Sequence, residues 1–321
     1  MVSRPSLKKS ILFIFLYISL HVFRYGIGYD YFEYEKIFTS VDFNSHSFIR
    51  LEPLNQWLIK IFRSLNLETL LHPIYSIGIT FFCYKAYSNQ ENKLPILFSF
   101  IALPTFYLLS MSIIRQFMAL SILFYLISRR KDLNIYWIIL GVLVSLLFHK
   151  GSIIGIIVLL LYCRELKFSS LVSFFLVSIL VLKFIETLAT YLGVGYIMNS
   201  FKVYQGGDLI LYLYLSLSAI LIAFRKKLDR EITKHLIIVL IGLILYFLLK
   251  DYGQVGQRVF LYFSFGLPII LVRLFQILFG NRYKLGMAAF MILIFLFTLN
   301  VSKKNIRKPF VPYQTIFSIE D

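Results

Sequence analysis

The chain has 321 residues, of which 59% are hydrophobic, 18% aromatic and only 15% charged. A soluble domain carries about 25% charged residues, and one this apolar would expose large sticky patches, so the composition excludes a soluble protein and indicates an integral membrane protein. The net charge of +17 does not indicate nucleic-acid binding, because basic residues that flank membrane spans account for it and no basic stripe is interleaved with aromatics on a soluble domain.

Apolar runs that could cross a bilayer recur along the whole chain. A helix needs about 20 mostly apolar residues to cross the hydrocarbon core, and snorkelling side chains at its ends can complete a shorter one. We therefore predict an all-α integral membrane protein with about 11 transmembrane helices (range 10–12) in a single polytopic domain, residues 1–321. The runs lie near 10–23, 68–84, 94–110, 112–128, 134–148, 151–163, 168–188, 208–224, 235–249, 258–279 and 284–300.

The first run resembles a signal peptide, since basic residues precede it. The residues that follow it, 23–25, are bulky and provide no small-residue cleavage site, so we expect a retained helix. Lys and Arg are densest in the loops that are cytoplasmic if the N-terminus is inside, including RRK at 129–131 and RKKLDR at 225–230. This bias predicts that the N-terminus lies inside and the C-terminus outside.

The longest loop, residues 24–67, is then extracytoplasmic. It is rich in Tyr, Asp and Glu, whereas every inside loop is short. Within it, residues 52–66 form an apolar stretch that Lys60 and Arg63 interrupt, which predicts either an amphipathic helix on the outer face or a re-entrant segment. We expect the protein to meet its substrate on this side.

Arg115 lies within the apolar stretch LLSMSIIRQFMALSILFYL. A charge at membrane depth costs from about 2.5 kcal/mol upward, so its presence needs an explanation. It is either a turn residue that snorkels to the outer interface or an arginine that faces a cavity, with Gln116 beside it. A guanidinium group offers several donors in one plane and so suits phosphate oxygens.

His149 and Lys150 lie in SLLFHKGSIIG, at a tight turn between two apolar runs, where Gly151 and Ser152 supply turn chemistry. A histidine at a helix end is often a capping or interface residue. At the membrane edge it can also transfer protons or form hydrogen bonds with a substrate.

Arg258 opens the tenth predicted span in DYGQVGQRVFLYFSFGLP. Gly253 and Gly256 allow the backbone to approach a ligand closely, and Gln254 and Gln257 add neutral donors. The alternative for Arg258 is an interfacial anchor.

Asp30, Glu33 and Glu35, joined further on by Glu52, make the outer segment acidic. Each of them can be a solvated loop charge. A carboxylate is also the usual general base for activating a sugar hydroxyl, so this loop is where we look for one.

The predicted topology places these basic and acidic groups on the same, outer side. Basic groups and a carboxylate at the outer leaflet suit a substrate with a pyrophosphate headgroup in the membrane and a polar acceptor outside. Neither the two cysteines nor the five histidines show zinc-type spacing, so no metal is expected.

Six segments, taken in order, resemble the EpsG-like branch of the Wzy-type polysaccharide polymerases. They run along nearly the whole chain: GYDYFEYEKIF, an EPLNQWL-like segment, SIIRQFMALSILFYL, LFHKGSIIG, QRVFLYFSFGLPII and VPYQTIF. The Arg-Gln and His positions of that family correspond to Arg115, Gln116 and His149, and its acidic-aromatic stretch corresponds to Asp30 and Tyr34.

The resemblance implies a GT-C-like glycosyltransferase of the bacterial inner membrane whose active site faces the periplasm. Such enzymes build O-antigen, capsule or exopolysaccharide. They transfer the growing glycan from undecaprenyl pyrophosphate to the non-reducing-end sugar of a new lipid-linked unit. The resemblance implies no nucleotide sugar, cofactor or metal. It implies an undecaprenyl-pyrophosphate-linked oligosaccharide and membrane lipid as binding partners, with a chain-length regulator as a protein partner.

Breaking a glycosyl–phosphate bond places negative charge on the leaving pyrophosphate, and fixed cations stabilise that charge. We therefore assign pyrophosphate binding to Arg115, Arg258 and Lys150. The acceptor proton goes to His149 or to a loop carboxylate, Asp30 or Glu33, in one inverting displacement. Further substrate contacts are assigned to Gln116, Tyr34, Glu52 and Gln257.

Other membrane proteins share some of these features. A flippase or exporter of lipid-linked sugars would also have many spans and outward-facing basic residues, but the two halves show no repeat of the kind that transporters often have. Other transferases, an O-antigen ligase or an O-acyltransferase, remain as alternatives. An O-acyltransferase should keep its His and Arg near the first spans, where His21 and Arg24 are the candidates.

Overall fold

The computed structural model describes residues 21–191, 208–252, 254–303 and 314–315. The first predicted span lies almost wholly outside these residues, as does Gly253. The described chain is almost entirely helical. Its elements are β1 (Arg24–Tyr25), α1 (Tyr31–Thr39), α2 (His46–Ile49), α3 (Pro53–Ser64), α4 (Leu71–Tyr87), α5 (Lys93–Ala102), α6 (Tyr107–Ser112), α7 (Ile114–Arg129), α8 (Ile135–Phe148), α9 (Ile153–Cys163), α10 (Ser169–Tyr191), α11 (Asp208–Ala223), α12 (Arg230–Leu248), α13 (Gln254–Phe263), α14 (Leu267–Phe279), α15 (Tyr283–Lys303) and β2 (Gln314–Thr315).

The chain divides into two compact units, one of Met1–Ile153 with Asn281–Asp321 and the other of Ile154–Gly280. In the first unit, α7 is the central helix and packs against α4 and α8. Phe117, Leu120 and Phe124 on α7 are fully buried. The two short strands also belong to this unit, where Arg24 pairs with Thr315 in antiparallel register.

The second unit is built around α12, which packs against α10, α11, α13 and α14. Gly242 allows the close approach of α13, because a Cβ at that position would lie 2.4 Å from the Cβ of Phe263. Near the start of α12, the buried His235 Nδ1 lies 3.0 Å from the hydroxyl of Tyr162 on α9.

Several helices are shorter than the apolar runs that predicted them. The run 94–110 is divided into α5 and α6 around Pro104, and the run 258–279 is divided into α13 and α14 by a 3₁₀ turn at Ser264–Gly266. Pro268 lies in the first turn of α14. Proline lacks the N–H that an uninterrupted helix needs, so it is tolerated where a helix begins.

Two helical stretches among the described residues are long and apolar enough to cross a membrane. One is Arg230–Leu248, which is α12, and the other is Gln254–Asn300, which takes in α13, α14, most of α15 and the 3₁₀ turns between them. Shorter apolar helices accompany them, and α8, α10 and α15 expose many large apolar side chains. These features fit the membrane protein that the composition indicates. The count of about 11 spans, their direction and the single polytopic domain stay predictions.

Residues 24–67, which are predicted to lie outside the membrane, are called the outer segment. Within it, Arg63 ties α3 to the end of α1. Its Nε, Nη1 and Nη2 donate hydrogen bonds to the carbonyls of Phe38, Val41 and Ile37, at 2.6, 2.7 and 2.5 Å. A cation that binds the last carbonyls of a helix is favoured by the helix dipole. The helix predicted at 52–66 is present as α3, while its amphipathic or re-entrant placement stays a prediction.

Gly28 allows the outer segment to lie directly against the end of α6. Its φ is +116°, and a Cβ at this position would lie 2.6 Å from the backbone oxygen of Met111. The next residue, Tyr29, donates its N–H to Ser112 Oγ at 3.2 Å. Residues 111–112 precede Arg115 by only three or four positions, so Gly28 sets the position of the segment beside that residue.

We expect Gly28→Ala to destabilise the protein strongly, by a few kcal/mol, because it combines a strained φ with a backbone clash. The measurement is the midpoint of thermal unfolding of the purified protein in detergent. Gly78→Ala on α4 is the matched control. There a new Cβ meets only the end of the Met118 side chain, which can move, and alanine favours a helix. Equal midpoints for the two variants would contradict the packing described for Gly28.

Candidate functional site

The candidate site in the first unit is centred on Glu52. This residue is the N-cap of α3 and has an extended backbone, and Pro53 follows as the first helical residue. Proline suits that position because its fixed φ matches the helix and its missing N–H is not needed there. The Glu52 side chain is only 7% exposed, so its charge requires partners.

Each oxygen of the Glu52 carboxylate has two donors close to it. Oε2 is 2.6 Å from Arg115 Nη1 and 3.2 Å from Asn55 Nδ2. Oε1 is 3.4 Å from the backbone N of Lys150 and 3.2 Å from His149 Nδ1. These four contacts join the start of α3, the start of α7 and the turn after α8, which are far apart in sequence.

Arg115 is the second residue of α7. A cation in the first turn of a helix is disfavoured by the helix dipole, and the Glu52 carboxylate offsets this cost. The Tyr34 ring lies with its centroid 5.5 Å from Arg115 Cζ, in cation–π geometry. Arg115 Nε is buried and has no hydrogen-bond acceptor among the described residues. The side chain as a whole is 21% exposed.

His149 ends α8 with an extended backbone (φ −158°, ψ 120°), and the 3₁₀ turn Lys150–Ser152 follows it. Its N–H donates to the carbonyl of Ser145. The Nδ1 atom is buried and lies 3.2 Å from Glu52 Oε1, an ion-pair contact, but it forms no hydrogen bond with any of the described residues. The imidazole is 24% exposed, so its accessible edge is the one away from Nδ1.

The side-chain amide of Asn55 holds the Glu52 carboxylate in place. Its Nδ2 donates to Glu52 and, at 2.8 Å, to the carbonyl of Phe148. Its Oδ1 accepts a hydrogen bond from the hydroxyl of Tyr75 on α4. The Phe148 carbonyl and the ionised Glu52 carboxylate can only accept, so they identify the nitrogen end of the amide, and Oδ1 then accepts from Tyr75.

The contacts of Glu52 lower its pKa by more than its burial raises it. Burial on its own would raise the pKa of this carboxyl group, but the contact with His149 and the charge of Arg115 lower the pKa of Glu52 to about 2. Glu52 is therefore an anion across the physiological range, in the segment outside the predicted spans.

The structure brings together several residues that the sequence singled out. Arg115, His149, Glu52 and Tyr34 are in contact, whereas Lys150 joins them through its backbone N–H and has an exposed side chain. Gln116 is buried in α7 beside Arg115.

The two loop carboxylates proposed as general bases lie on α1. Asp30 is its N-cap residue, and Glu33 lies exposed in its first turn. Acidic groups at a helix N-terminus are favoured by the dipole, which gives both residues a structural explanation.

Arg258 and Gln257 belong to the second unit and lie half-buried on α13. Arg258 Nη2 donates to Gln254 Oε1 at 3.1 Å, one helical turn earlier. Their predicted roles in binding stay predictions.

The sequence did not single out Asn55, Tyr75 or the pair of Glu35 with His72. His72 Nε2 is 3.2 Å from Glu35 Oε2, and the His72 ring stacks on Tyr31 with centroids 4.6 Å apart. For Asn55 a signal existed, since it follows Glu52 by three residues in the first turn of a helix, which is the spacing of a capping box.

His21, a candidate under the acyltransferase alternative, is fully buried. Its Nε2 is 2.9 Å from Ser110 Oγ and its Nδ1 is 3.5 Å from Ser76 Oγ. These contacts hold α4 and α6 together and give His21 a structural role. Within the part of the chain that the structure describes, no group of three or more His, Cys, Asp or Glu side chains is arranged to hold a metal ion.

We expect acid to remove the stabilisation that Glu52 provides. The pKa of Glu52 in the folded protein is below the ordinary value of 4.5. Its contribution to the free energy of unfolding is therefore fully present above about pH 4.5 and is lost as the pH falls towards 2. This contribution amounts to about 3 kcal/mol. Thermal unfolding midpoints of wild type and Glu52→Gln should therefore differ most near neutral pH and converge in acid. Glu33→Gln, which removes an exposed carboxylate of the same segment, should unfold like the wild type. A pH-independent gap between wild type and Glu52→Gln would contradict this assignment.

The chain matches a family of known proteins along nearly its whole length, although neither a curated protein nor a solved structure matches it. The family model described as the EpsG family matches residues 9–315, which confirms the resemblance seen in the ordered motifs. Because that match covers nearly the whole chain, this membrane protein belongs to the EpsG family.

Proposed function

We propose that the protein polymerises lipid-linked oligosaccharide repeat units. The growing glycan is transferred from undecaprenyl pyrophosphate to the non-reducing-end sugar of a new lipid-linked unit, without a metal and with inversion at the anomeric carbon. The protein is a multi-pass component of the bacterial inner membrane, with its site facing the periplasm and a chain-length regulator as a partner. Family membership supports a polymerase-type function in polysaccharide synthesis.

The observation that carries the proposal is the contact of Arg115, Glu52 and His149 in one cluster. Arg115 and His149 are partly exposed, and a buried carboxylate holds both of them. A guanidinium group and an imidazole fixed side by side supply an anion-binding group and a proton acceptor, which are the two functions that glycosyl transfer from a diphosphate requires.

Arg115 is the proposed pyrophosphate ligand. Its side chain forms an ion pair with Glu52 and is still 21% exposed. A phosphate oxygen at the exposed part of the side chain would gain a charge-assisted hydrogen bond. The exposed Lys150 adjoins the cluster and provides a second cation.

His149 is the proposed general base. Its accessible edge takes the proton from the acceptor hydroxyl as that oxygen forms a bond to the anomeric carbon. The bond from the anomeric carbon to the phosphate oxygen breaks, and its electron pair leaves with undecaprenyl pyrophosphate. Fixed cations next to the leaving group stabilise the developing charge without having to reorganise.

Two substitutions test these roles in a strain that lacks the gene. Arg115→Ala and His149→Gln should each reduce polymerisation by about 10²–10³-fold, by analogy with the loss of one oxyanion-type donor. The measurement is the banding pattern of the surface polysaccharide, at expression levels equal to wild type. Long chains should disappear while glycan of a single repeat unit remains.

The matched controls are Arg129→Ala, at the opposite end of α7, and His46→Gln, an exposed histidine of the outer segment. Both should keep the long-chain pattern. Long chains from either Arg115→Ala or His149→Gln would rule out the role assigned to that residue. Complete loss of surface glycan in the deletion strain, rather than single units, would favour a flippase instead.

A further inference from the structure

We infer that Glu52 is a positioning residue, which holds His149 in the tautomer protonated on Nδ1 and aligns Arg115, and that it makes no contact with sugar. This differs from the substrate-binding role that the sequence suggested. The statement about the tautomer depends only on the contacts in the structure. Its consequence for catalysis rests on the proposed function.

The Glu52 carboxylate has little room for a further donor. An ionised carboxylate has two oxygens with about four lone-pair sites. Three donors form hydrogen bonds with Glu52, namely Arg115 Nη1, Asn55 Nδ2 and the Lys150 backbone N, and His149 Nδ1 lies 3.2 Å from Oε1. A sugar hydroxyl could bind this carboxylate only by displacing one of these groups.

The surroundings of His149 decide which of its two ring nitrogens carries the proton. Nδ1 of His149 is buried and faces a permanent anion. A neutral imidazole beside a carboxylate places its proton on the nitrogen that faces the oxygen, because the reverse tautomer would set a lone pair against the negative charge. Nε2 then carries the lone pair at the accessible edge, where a base is needed.

Every polar group of the Asn55 amide has a partner. Its two N–H groups donate to Glu52 and to the Phe148 carbonyl, and its Oδ1 accepts from Tyr75. The carboxylate oxygen that binds Arg115, Oε2, is therefore also held by a fixed side chain. Neither its rotation nor its protonation is required during a reaction, which is the property of a positioning group.

The test is a ¹⁵N NMR spectrum of the full-length protein in lipid nanodiscs, labelled at histidine and recorded at about pH 8.5, above the ordinary titration range of imidazole. His149→Gln identifies the His149 signals among those of the five histidines. We expect wild-type His149 to be protonated on Nδ1 and unprotonated on Nε2. A wild-type spectrum with the proton on Nε2 overturns the inference, without any need for a variant at Glu52.

In Glu52→Gln we expect the tautomer to reverse. The amide oxygen should face Arg115 and Asn55, which both donate to the Oε2 position, so the amide NH₂ group faces His149 Nδ1, which then has to accept. Glu52→Asp keeps the charge and should retain the wild-type tautomer in most molecules. Glu91→Gln, an exposed carboxylate on the loop after α4, is the matched control and should leave the spectrum unchanged. A variant Glu52→Gln with the wild-type tautomer contradicts the inference.

The polysaccharide pattern separates this inference from the proposed function. If Glu52 acts through His149 as well as through Arg115, the loss of polymerisation in the double variant Glu52→Gln with His149→Gln should be smaller than the two single losses combined, at equal expression. A reversed tautomer combined with normal long chains would refute the catalytic role of His149 and leave the positioning of its ring intact. Loss of long chains in His149→Gln combined with a wild-type proton on Nε2 would refute the positioning inference alone.

Discussion

The first unit depends on one buried carboxylate. Glu52 accepts contacts from three segments, and the segments that carry Arg115 and Lys150 lie 63 and 98 residues further along the chain. Without it, Arg115 would be a cation at the positive end of a helix, and the buried His149 Nδ1 would no longer face an anion. Buried ion pairs often add little net stability, but they specify geometry, since the loss of one partner leaves the other uncompensated. In the proposed function, it is this geometry that sets Arg115 and His149 side by side.

The composition and the ordered motifs predicted much of what the structure and the family comparison show. The helical class follows from apolar runs, and the family follows from short segments in a fixed order. Arg115 and His149 could be singled out because the bilayer makes polar groups at helix ends expensive. The contact between them could not be predicted, because it is made through Glu52, and pairing across such sequence distances leaves no periodic pattern in a single chain. The same holds for His72 and Glu35.

Where the sequence and the structure differ, the reason is local backbone chemistry. Hydropathy measures how apolar a run is but not whether its backbone stays helical, so the runs that contain Pro104 and Pro268 appeared as single spans although each forms two helices. The choice of base shows the same limit. Asp30 and Glu33 were attractive because they are acidic and lie in the outer segment, yet the start of α1 explains both by its dipole. A histidine held by a carboxylate is a better-defined proton acceptor than either of them.

Arg63 has a consequence for how this protein can diverge. By binding three carbonyls at the end of α1, it joins α1 to α3 directly. Tyr34, which lies against Arg115, is on the first of these helices, and Glu52 begins the second. The chain between them, Ser40 to Leu51, adds further bonds, because Arg63 also binds Val41 and Gln56 binds the carbonyls of Ile49 and Leu51. Substitutions at its exposed positions Asp42 and Asn44 should therefore leave the spacing of Tyr34 and Glu52 unchanged.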